Sequence, residues 1–240
     1  MQTPEIDGLN LDENSPGSPG KYFTPTAYAV VQRSYYPLLA TLFVAVLLIS
    51  NIAAVKLIEV GPFILDGGAF LFPFAYVLGD VLSEVYGLKA TTRAIWLGFI
   101  SSALASLVFF LVQITPAPDA WTSQQAFESI LGFVPRIVLA SLVAYLVGQL
   151  LNSLVLTRIK RITNERMLWL RLLGSTLVGQ LADTIIFCTI AFYGVITGLD
   201  FLNYVLVGYV FKVLVEVAVM PITYRVVSAV KRREPSYFEV

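Results

Sequence analysis

Three segments of the sequence share one arrangement of polar residues: a glycine is followed by polar side chains one, four and five positions later. In an α-helix this spacing places the three polar groups on one face, and the glycine beside them allows another helix to approach closely. Amides, hydroxyls and carboxylates hydrogen-bond polar solutes, so three such faces that meet predict a hydrophilic pocket. The three sets are Gly79 with Asp80, Ser83 and Glu84, Gly148 with Gln149, Asn152 and Ser153, and Gly179 with Gln180, Asp183 and Thr184.

The last two of these sets belong to an internal repeat, because the string LVGQL occurs at 146–150 and again at 177–181. The two copies lie at similar sequence distances from a basic loop near residue 165. If the helices on either side of that loop form an antiparallel hairpin, a rise of about 1.5 Å per residue puts Gln149 and Gln180 at comparable depth.

These polar residues also have structural explanations. In membrane proteins, amides and hydroxyls often serve only to hydrogen-bond one helix to another. Each such bond stabilises the fold by about 0.6 kcal/mol on average. A charge at the centre of a lipid bilayer costs at least about 2.5 kcal/mol, so a carboxylate in a membrane helix favours a functional role. This applies to Asp183, and also to Asp80 and Glu84 unless these two lie at the cytoplasmic surface of the membrane. Lys212 and Glu216 are four positions apart, and this spacing favours an ion pair within one helix.

The sequence lacks the residues of the common enzyme mechanisms. Histidine is absent and cysteine occurs once, at Cys188, so the usual proton relay and the commonest metal ligand are missing. There is no phosphate loop of the GxxxxGK[ST] type and no HExxH or GxSxG motif. We therefore expect no enzyme activity, no metal and no cofactor, and the formal net charge of zero gives no reason to expect a nucleic-acid partner.

The composition predicts an all-α integral membrane protein. Of the 240 residues, 57% are hydrophobic and 13% are charged, whereas soluble domains carry about 25% charged residues. A membrane helix needs about 20 mostly apolar residues, and six segments approach that length. The second is the weakest, and Gly67, Gly68 and Pro73 would suit a broken or re-entrant helix there. The six segments are 38–57, 68–86, 94–114, 133–155, 172–196 and 204–227.

The distribution of Lys and Arg determines the expected orientation. Basic residues crowd the loop between the fourth and fifth spans and the C-terminal tail, whereas 115–132 and 197–203 contain none. This alternation requires an even number of spans and places both termini in the cytoplasm. We expect a flexible cytoplasmic tail over 1–30, a single six-helix transmembrane domain over 31–230 and a short basic tail over 231–240.

Four segments of the sequence resemble one known family. They are NIAAVK at 51–56, GGAFLFPFAYVLGDVLSEVYG at 67–87, RLLGSTLVGQLADTIIFCTIAFYG at 171–194 and YVFKVLVEVAVMPITY at 209–224. With these motifs the chain resembles the queuosine precursor transporter family, also described as vitamin-uptake-like proteins of the inner membrane. The resemblance covers most of 37–228.

The resemblance implies import of 7-deazaguanine bases, such as 7-cyano-7-deazaguanine and 7-aminomethyl-7-deazaguanine. The missing phosphate loop predicts that the chain has no ATPase of its own. The resemblance also implies localisation in the bacterial inner (cytoplasmic) membrane and a six-helix fold similar to the substrate-binding subunits of energy-coupling-factor vitamin transporters. A guanine-like edge presents a ring N–H and an amino group as adjacent donors. A carboxylate can accept both, while an amide can serve the carbonyl of the base.

The polar and aromatic residues divide into these roles. The carboxylate would come from Asp80, Glu84 or Asp183. The amide would come from Gln149, Asn152 or Gln180, and a donor to the carbonyl of the base from Lys56 or Arg171. Aromatic rings would stack on the base. The predicted substrate-binding residues are Asn51, Lys56, Phe72, Tyr76, Asp80, Glu84, Gln149, Asn152, Gln180, Asp183 and Phe187.

Three other functions are open at this stage. The chain could be a substrate-binding subunit that depends on an external energy-coupling ATPase, although no compelling docking motif supports that partner. It could be a non-transporting membrane scaffold, which would not need carboxylates in lipid, or an enzyme, for which the residues are missing. Besides the lipid bilayer and the small-molecule substrate, we expect a homodimer that uses small residues of the third span, namely Ser101, Ser102, Ala103, Ala105 and Ser106.

Overall fold

The computed structural model describes residues 34–162 and 168–238, which form long helices and one β-hairpin. The predicted tail over 1–30, the centre of the basic loop and the side chain of Arg171 lie outside the described residues. Short 3-10 turns occur before α2, at Gly67–Phe70, and after α6, at Pro235–Phe238. The other elements are α1 (Tyr36–Ala53), β1 (Leu57–Val60), β2 (Phe63–Asp66), α2 (Phe72–Ile114), α3 (Gln124–Leu131), α4 (Val134–Ile162), α5 (Leu168–Phe192) and α6 (Gly198–Arg233).

Five helices in the described part of the chain are long and apolar enough to cross a membrane. This confirms the prediction of an all-α membrane protein. The second and third predicted spans, 68–86 and 94–114, both fall largely within α2. The count of six crossings and the similarity to energy-coupling-factor subunits stay predictions.

The helix α2 changes direction at Gly87, where the backbone has φ 77° and ψ 170°. Glycine adopts such positive φ values without the steric cost that a side chain would add. Before this point α2 runs antiparallel to α1. The ring of Tyr86 lies 5.3 Å from that of Tyr36 at the start of α1, whereas Gly79, earlier in α2, faces Phe43 further along α1.

After the reversal, α2 runs parallel to α1. Near the start of α1, Tyr36 Oη donates to the carbonyl of Ala90 at 3.0 Å. Near its end, Asn51 Nδ2 donates to Ser102 Oγ at 3.3 Å. Ser102 and Ser106 of the predicted dimer interface are therefore buried inside the chain, and they cannot form the surface of a homodimer, which itself stays a prediction.

The first predicted span, 38–57, extends too far. The helix α1 ends at Ala53, and Leu57 begins a β-hairpin in which β1 pairs antiparallel with β2. Apolar residues continue through the hairpin, so composition alone does not mark the end of the helix. At Gly67 any side chain would collide with the carbonyl oxygen of Ala53, so glycine lets the returning chain pass the end of α1.

The hairpin is fastened to the first turns of α6 by polar contacts. Asn203 Nδ2 donates to the carbonyl of Pro62 at 2.8 Å, and the amide of Ile64 donates to Asn203 Oδ1 at 3.2 Å. Tyr204 Oη donates to Asp66 Oδ2 at 2.7 Å. Burial raises the pKa of the Asp66 carboxyl above its usual range, although the hydrogen bond from Tyr204 favours its ionised form.

A buried apolar core lies at the same end of the bundle as the hairpin. It includes Ile137 of α4, Phe192 of α5 and Tyr204 of α6. The rings of Phe192 and Tyr204 pack edge to face with centroids 5.1 Å apart, an arrangement that aromatic pairs prefer. Side chains of α4, α5 and α6 therefore pack closely beside the hairpin.

The opposite end is held together by Glu234, which is 2% exposed. One carboxylate oxygen, Oε2, accepts from the backbone amide of Tyr35 at 2.9 Å and from Tyr86 Oη at 2.6 Å. The start of α1, the reversal in α2 and the end of α6 thus meet at one acidic side chain. The predicted basic tail begins inside α6, which runs to Arg233.

The helices α4 and α5 are antiparallel and approach each other most closely at the repeated glycines. A Cβ at Gly179 would lie 2.8 Å from Asn152 Cβ and 2.9 Å from the carbonyl oxygen of Gly148. A Cβ at Gly148 would lie 3.0 Å from Asp183 Cβ. The two copies of the repeat therefore pack against each other in a pseudo-symmetric way.

Replacing Gly179 by alanine should weaken this packing. The added methyl group meets backbone of α4 that cannot move aside, so we expect a loss of about 1–3 kcal/mol, measured as a lower thermal unfolding midpoint in detergent. Gly208→Ala is the matched control, because its Cβ would meet only Thr184 Cγ2 at an ordinary 3.7 Å. Equal midpoints for the two variants would contradict the close approach.

Replacing Tyr204 by phenylalanine should destabilise the hairpin end. The half-buried Asp66 carboxylate loses a donor, which costs about 1–3 kcal/mol. Because that donor favours the ionised carboxylate, the loss should grow as the pH rises through the raised pKa of Asp66 and shrink at lower pH. Unfolding midpoints across pH test this, with Tyr224→Phe as control because Tyr224 is exposed. A pH-independent loss would contradict it.

Candidate functional site

A cavity of about 590 Å³ lies among α1, α2, α4, α5 and α6. Small-molecule sites typically have volumes of about 300–1,000 Å³. The structure brings the predicted polar faces of α2, α4 and α5 together around this cavity. The predicted binding residues that line it are Phe72, Tyr76, Asp80, Gln149, Asn152, Gln180 and Asp183, and Ser83, Tyr145, Thr176 and Glu216 add further polar groups.

Gln180 joins three helices at the wall of the cavity. Its amide nitrogen Nε2 donates to Tyr76 Oη of α2 and to Glu216 Oε2 of α6, the latter at 2.6 Å. The ring of Phe72 lies 4.7 Å from that of Tyr76, one turn earlier on the same face. An amide, a carboxylate, a phenol and an aromatic face are thus presented together.

Lys212 is held beside this group by a strong ion pair. Its Nζ lies 2.6 Å from Asp183 Oδ2. The same ammonium lies 5.4 Å from the ring centre of Phe72 and 5.9 Å from that of Phe187, within the range of cation–π attraction. Asp183 and two aromatic rings therefore fix the position of the cation.

The predicted pair between Lys212 and Glu216 is wrong. Because α5 and α6 lie side by side, Asp183 faces Lys212 while Gln180, one turn away, faces Glu216. The cross-helix partners are closer than the partner along α6. A sequence signal did exist, since Tyr204, Gly208, Lys212 and Glu216 recur every four residues and so form one face of α6.

Several buried oxygens near the cavity have no hydrogen-bond partner within the described part of the chain. Among them are Asn152 Oδ1 and Gln180 Oε1, both on residues that line the cavity. A buried polar atom without a partner costs about 1–3 kcal/mol. Both atoms are acceptors, so a bound molecule with N–H or O–H groups would satisfy them.

Four predicted binding residues lie outside the cavity lining. Asn51 connects helices, because it bonds Ser102 of α2 and accepts from Ser141 Oγ of α4 at 2.8 Å. Phe187 contacts Lys212 as described. Glu84 is exposed and lies 3.6 Å from Lys231 Nζ near the end of α6.

Lys56 is the fourth of these residues. It is exposed in the bend that follows α1 and lines a separate cleft with Ser129 and Ile130 near the end of α3. This position is at the hairpin end, away from the polar cavity. Its predicted role in binding the base carbonyl has no support from this geometry.

Comparison with known proteins places these features in a family. The model of the family described as "Putative vitamin uptake transporter" matches residues 66–226. The chain is 35% identical to the "Probable queuosine precursor transporter" of Bacillus subtilis (strain 168), over 78% of this chain and 82% of that protein. It is 31% identical to the "Queuosine precursor transporter" of Escherichia coli (strain K12), over 62% of this chain and 66% of that protein. No solved structure matches the chain.

Removing the ammonium of Lys212 should leave Asp183 as an uncompensated charge. The two side chains are 19% and 30% exposed, so Lys212→Met should cost about 1–3 kcal/mol, less than the loss of a fully buried partner. The double variant Lys212→Met/Asp183→Asn should recover part of that loss. Thermal unfolding in detergent of the wild type, of Lys212→Met, of Asp183→Asn and of the double variant measures this, and a double variant whose loss equals the sum of the two single losses would contradict the pairing.

Proposed function

The chain belongs to the queuosine precursor transporter family, a family of transporters and not of enzymes, and on this premise we propose that it imports queuosine precursors. The observation that carries the proposal is the polar cavity inside the helix bundle, built around Gln180, Tyr76 and Glu216. Polar groups in the bilayer are costly, so a cavity lined by them favours a polar solute that enters it.

The proposed substrates are 7-deazaguanine bases, such as the 7-cyano and 7-aminomethyl compounds. A base of this kind presents a ring N–H and an amino group side by side, and Gln180 Oε1 is an acceptor without a partner in the described structure. Glu216 Oε2 lies beside the same amide and supplies a second acceptor. Phe72 and Tyr76 offer aromatic faces for the flat ring.

These assignments favour Glu216 over the three carboxylates predicted from sequence to bind the base edge. Asp183 is occupied by Lys212, and Glu84 is exposed near Lys231. Asp80 lines the cavity but is not hydrogen-bonded to Gln180. A site that hydrogen-bonds the base would reject analogues without these donors, since its buried acceptors would remain unpaired.

We place the protein in the bacterial cytoplasmic membrane with both termini inside. In that orientation Leu88 and Thr91, which line the cavity just after the Gly87 reversal, lie toward the cytoplasm. The packed core beside the β-hairpin then separates the cavity from the outside. We further propose that transport needs no external ATPase.

The direct test is uptake into liposomes that contain the purified protein and no nucleotide. We expect saturable entry of a radiolabelled 7-deazaguanine base, no entry into empty liposomes, and strong reduction by Gln180→Ala, which removes the central amide. Gly208→Ala is the matched control. Binding without entry would contradict independence from an ATPase, and neither binding nor entry of either base would contradict the proposed substrates.

A further inference from the structure

We infer that the cavity selects a positively charged 7-deazaguanine, with an ammonium group on its 7-substituent, over a neutral one, and that Asp80 binds that ammonium. The inference rests on the proposed function and adds to it a choice between the two classes of base. An alkylamine such as the 7-aminomethyl group is protonated at neutral pH, as lysine is. The 7-cyano group is uncharged and only accepts hydrogen bonds.

The first observation is the balance of charge around the cavity. Three carboxylates line it, those of Asp80, Asp183 and Glu216, and the described lining includes no Lys or Arg. Lys212 compensates Asp183 at 2.6 Å. Neither Asp80 nor Glu216 forms an ion pair with a described side chain.

The two remaining carboxylates differ in their surroundings. Glu216 accepts a hydrogen from Gln180 Nε2 and is thereby fixed beside the amide that is proposed to bind the base edge. Asp80 forms neither an ion pair nor a side-chain hydrogen bond within the described part of the chain, although it lines the same cavity on the face of α2 that carries Tyr76. Asp80 is therefore the free carboxylate that a ligand cation can reach.

The second observation is that the buried polar atoms without partners at the cavity lining are acceptors. Asn152 Oδ1 and Gln180 Oε1 are buried without partners in the described structure. The nitrile of a 7-cyano group would add another acceptor beside them and beside Asp80, whereas an ammonium supplies three donors. Lys212 is not placed to serve a nitrile, because Asp183 binds it and two aromatic rings flank it.

The chemistry of the ligand separates its two polar groups. In a 7-deazaguanine the substituent at position 7 lies on the five-membered ring, away from the ring N–H and amino group of the six-membered ring. If Gln180 and Glu216 bind the latter, the 7-substituent points away from them. A carboxylate other than Glu216 is then the group that the substituent needs, and Asp80, which lies on α2 and not on α5 or α6, is the one left for it.

The test is a binding comparison with the purified full chain in lipid nanodiscs at neutral pH. We expect the 7-aminomethyl base to bind more tightly than the 7-cyano base by about tenfold or more, the size of a hydrogen bond to a charged group. Asp80→Asn should abolish this preference by weakening only the aminomethyl base. Asp80→Glu should keep the preference, and Glu59→Gln, on the exposed hairpin, is the control for an unspecific loss of negative charge.

Equal binding of the two bases by the wild-type chain would overturn the inference while the proposed function stands. A preference that survives in Asp80→Asn would do the same. An equal loss of both bases in Asp80→Asn would also overturn it when Asp80→Glu binds both as the wild type does, because the carboxylate would then serve the base and not its ammonium. If the wild-type chain binds neither base, the proposed function itself fails.

Discussion

The close approach of α4 and α5 is the constraint on which the cavity depends. At Gly148 and Gly179 the two backbones are so near that a methyl group on either helix would meet the other. This contact fixes the rotation of both helices, since only the glycine faces can meet. The polar residues one and four positions after each glycine must then lie along the edge of that contact, where they face the space left between α2 and α6.

The bilayer makes each polar group in that space costly unless it has a partner. The antiparallel repeat and α6 meet this demand by cross-helix pairs, with Lys212 on Asp183 and Gln180 between Tyr76 and Glu216. Such pairs stabilise the fold and present a polar surface at the same time. Two of the buried oxygens that stay without partners in the described structure, Asn152 Oδ1 and Gln180 Oε1, belong to residues at the cavity, where a bound solute can satisfy them.

The two ends of the bundle are closed by different means. At the hairpin end, Phe192 and Tyr204 pack in an apolar core, and the hairpin is bound to α6 through Asp66. At the other end a single carboxylate, Glu234, holds Tyr35 and Tyr86. Entry of a solute from the hairpin side would have to displace these buried aromatic rings. A change at the other end would have to separate Glu234 from its two partners and the ring of Tyr86 from that of Tyr36.

The sequence by itself determined the membrane class, the family and the faces on which the polar residues lie, because apolar run length and helical periodicity are local properties. It also placed Asp80, Gln180 and Asp183 at one cavity. It placed a break between two spans over 87–93, where the structure has the reversal at Gly87. It did not reveal the end of α1 or the hairpin, because apolar residues continue past Ala53 into both strands. Only the tertiary structure decided that Lys212 pairs with Asp183, that Glu216 joins the site and that Glu84 and Lys56 lie outside it. Partners across helices depend on the register and rotation of one helix against another, which long-range packing sets and local spacing does not record.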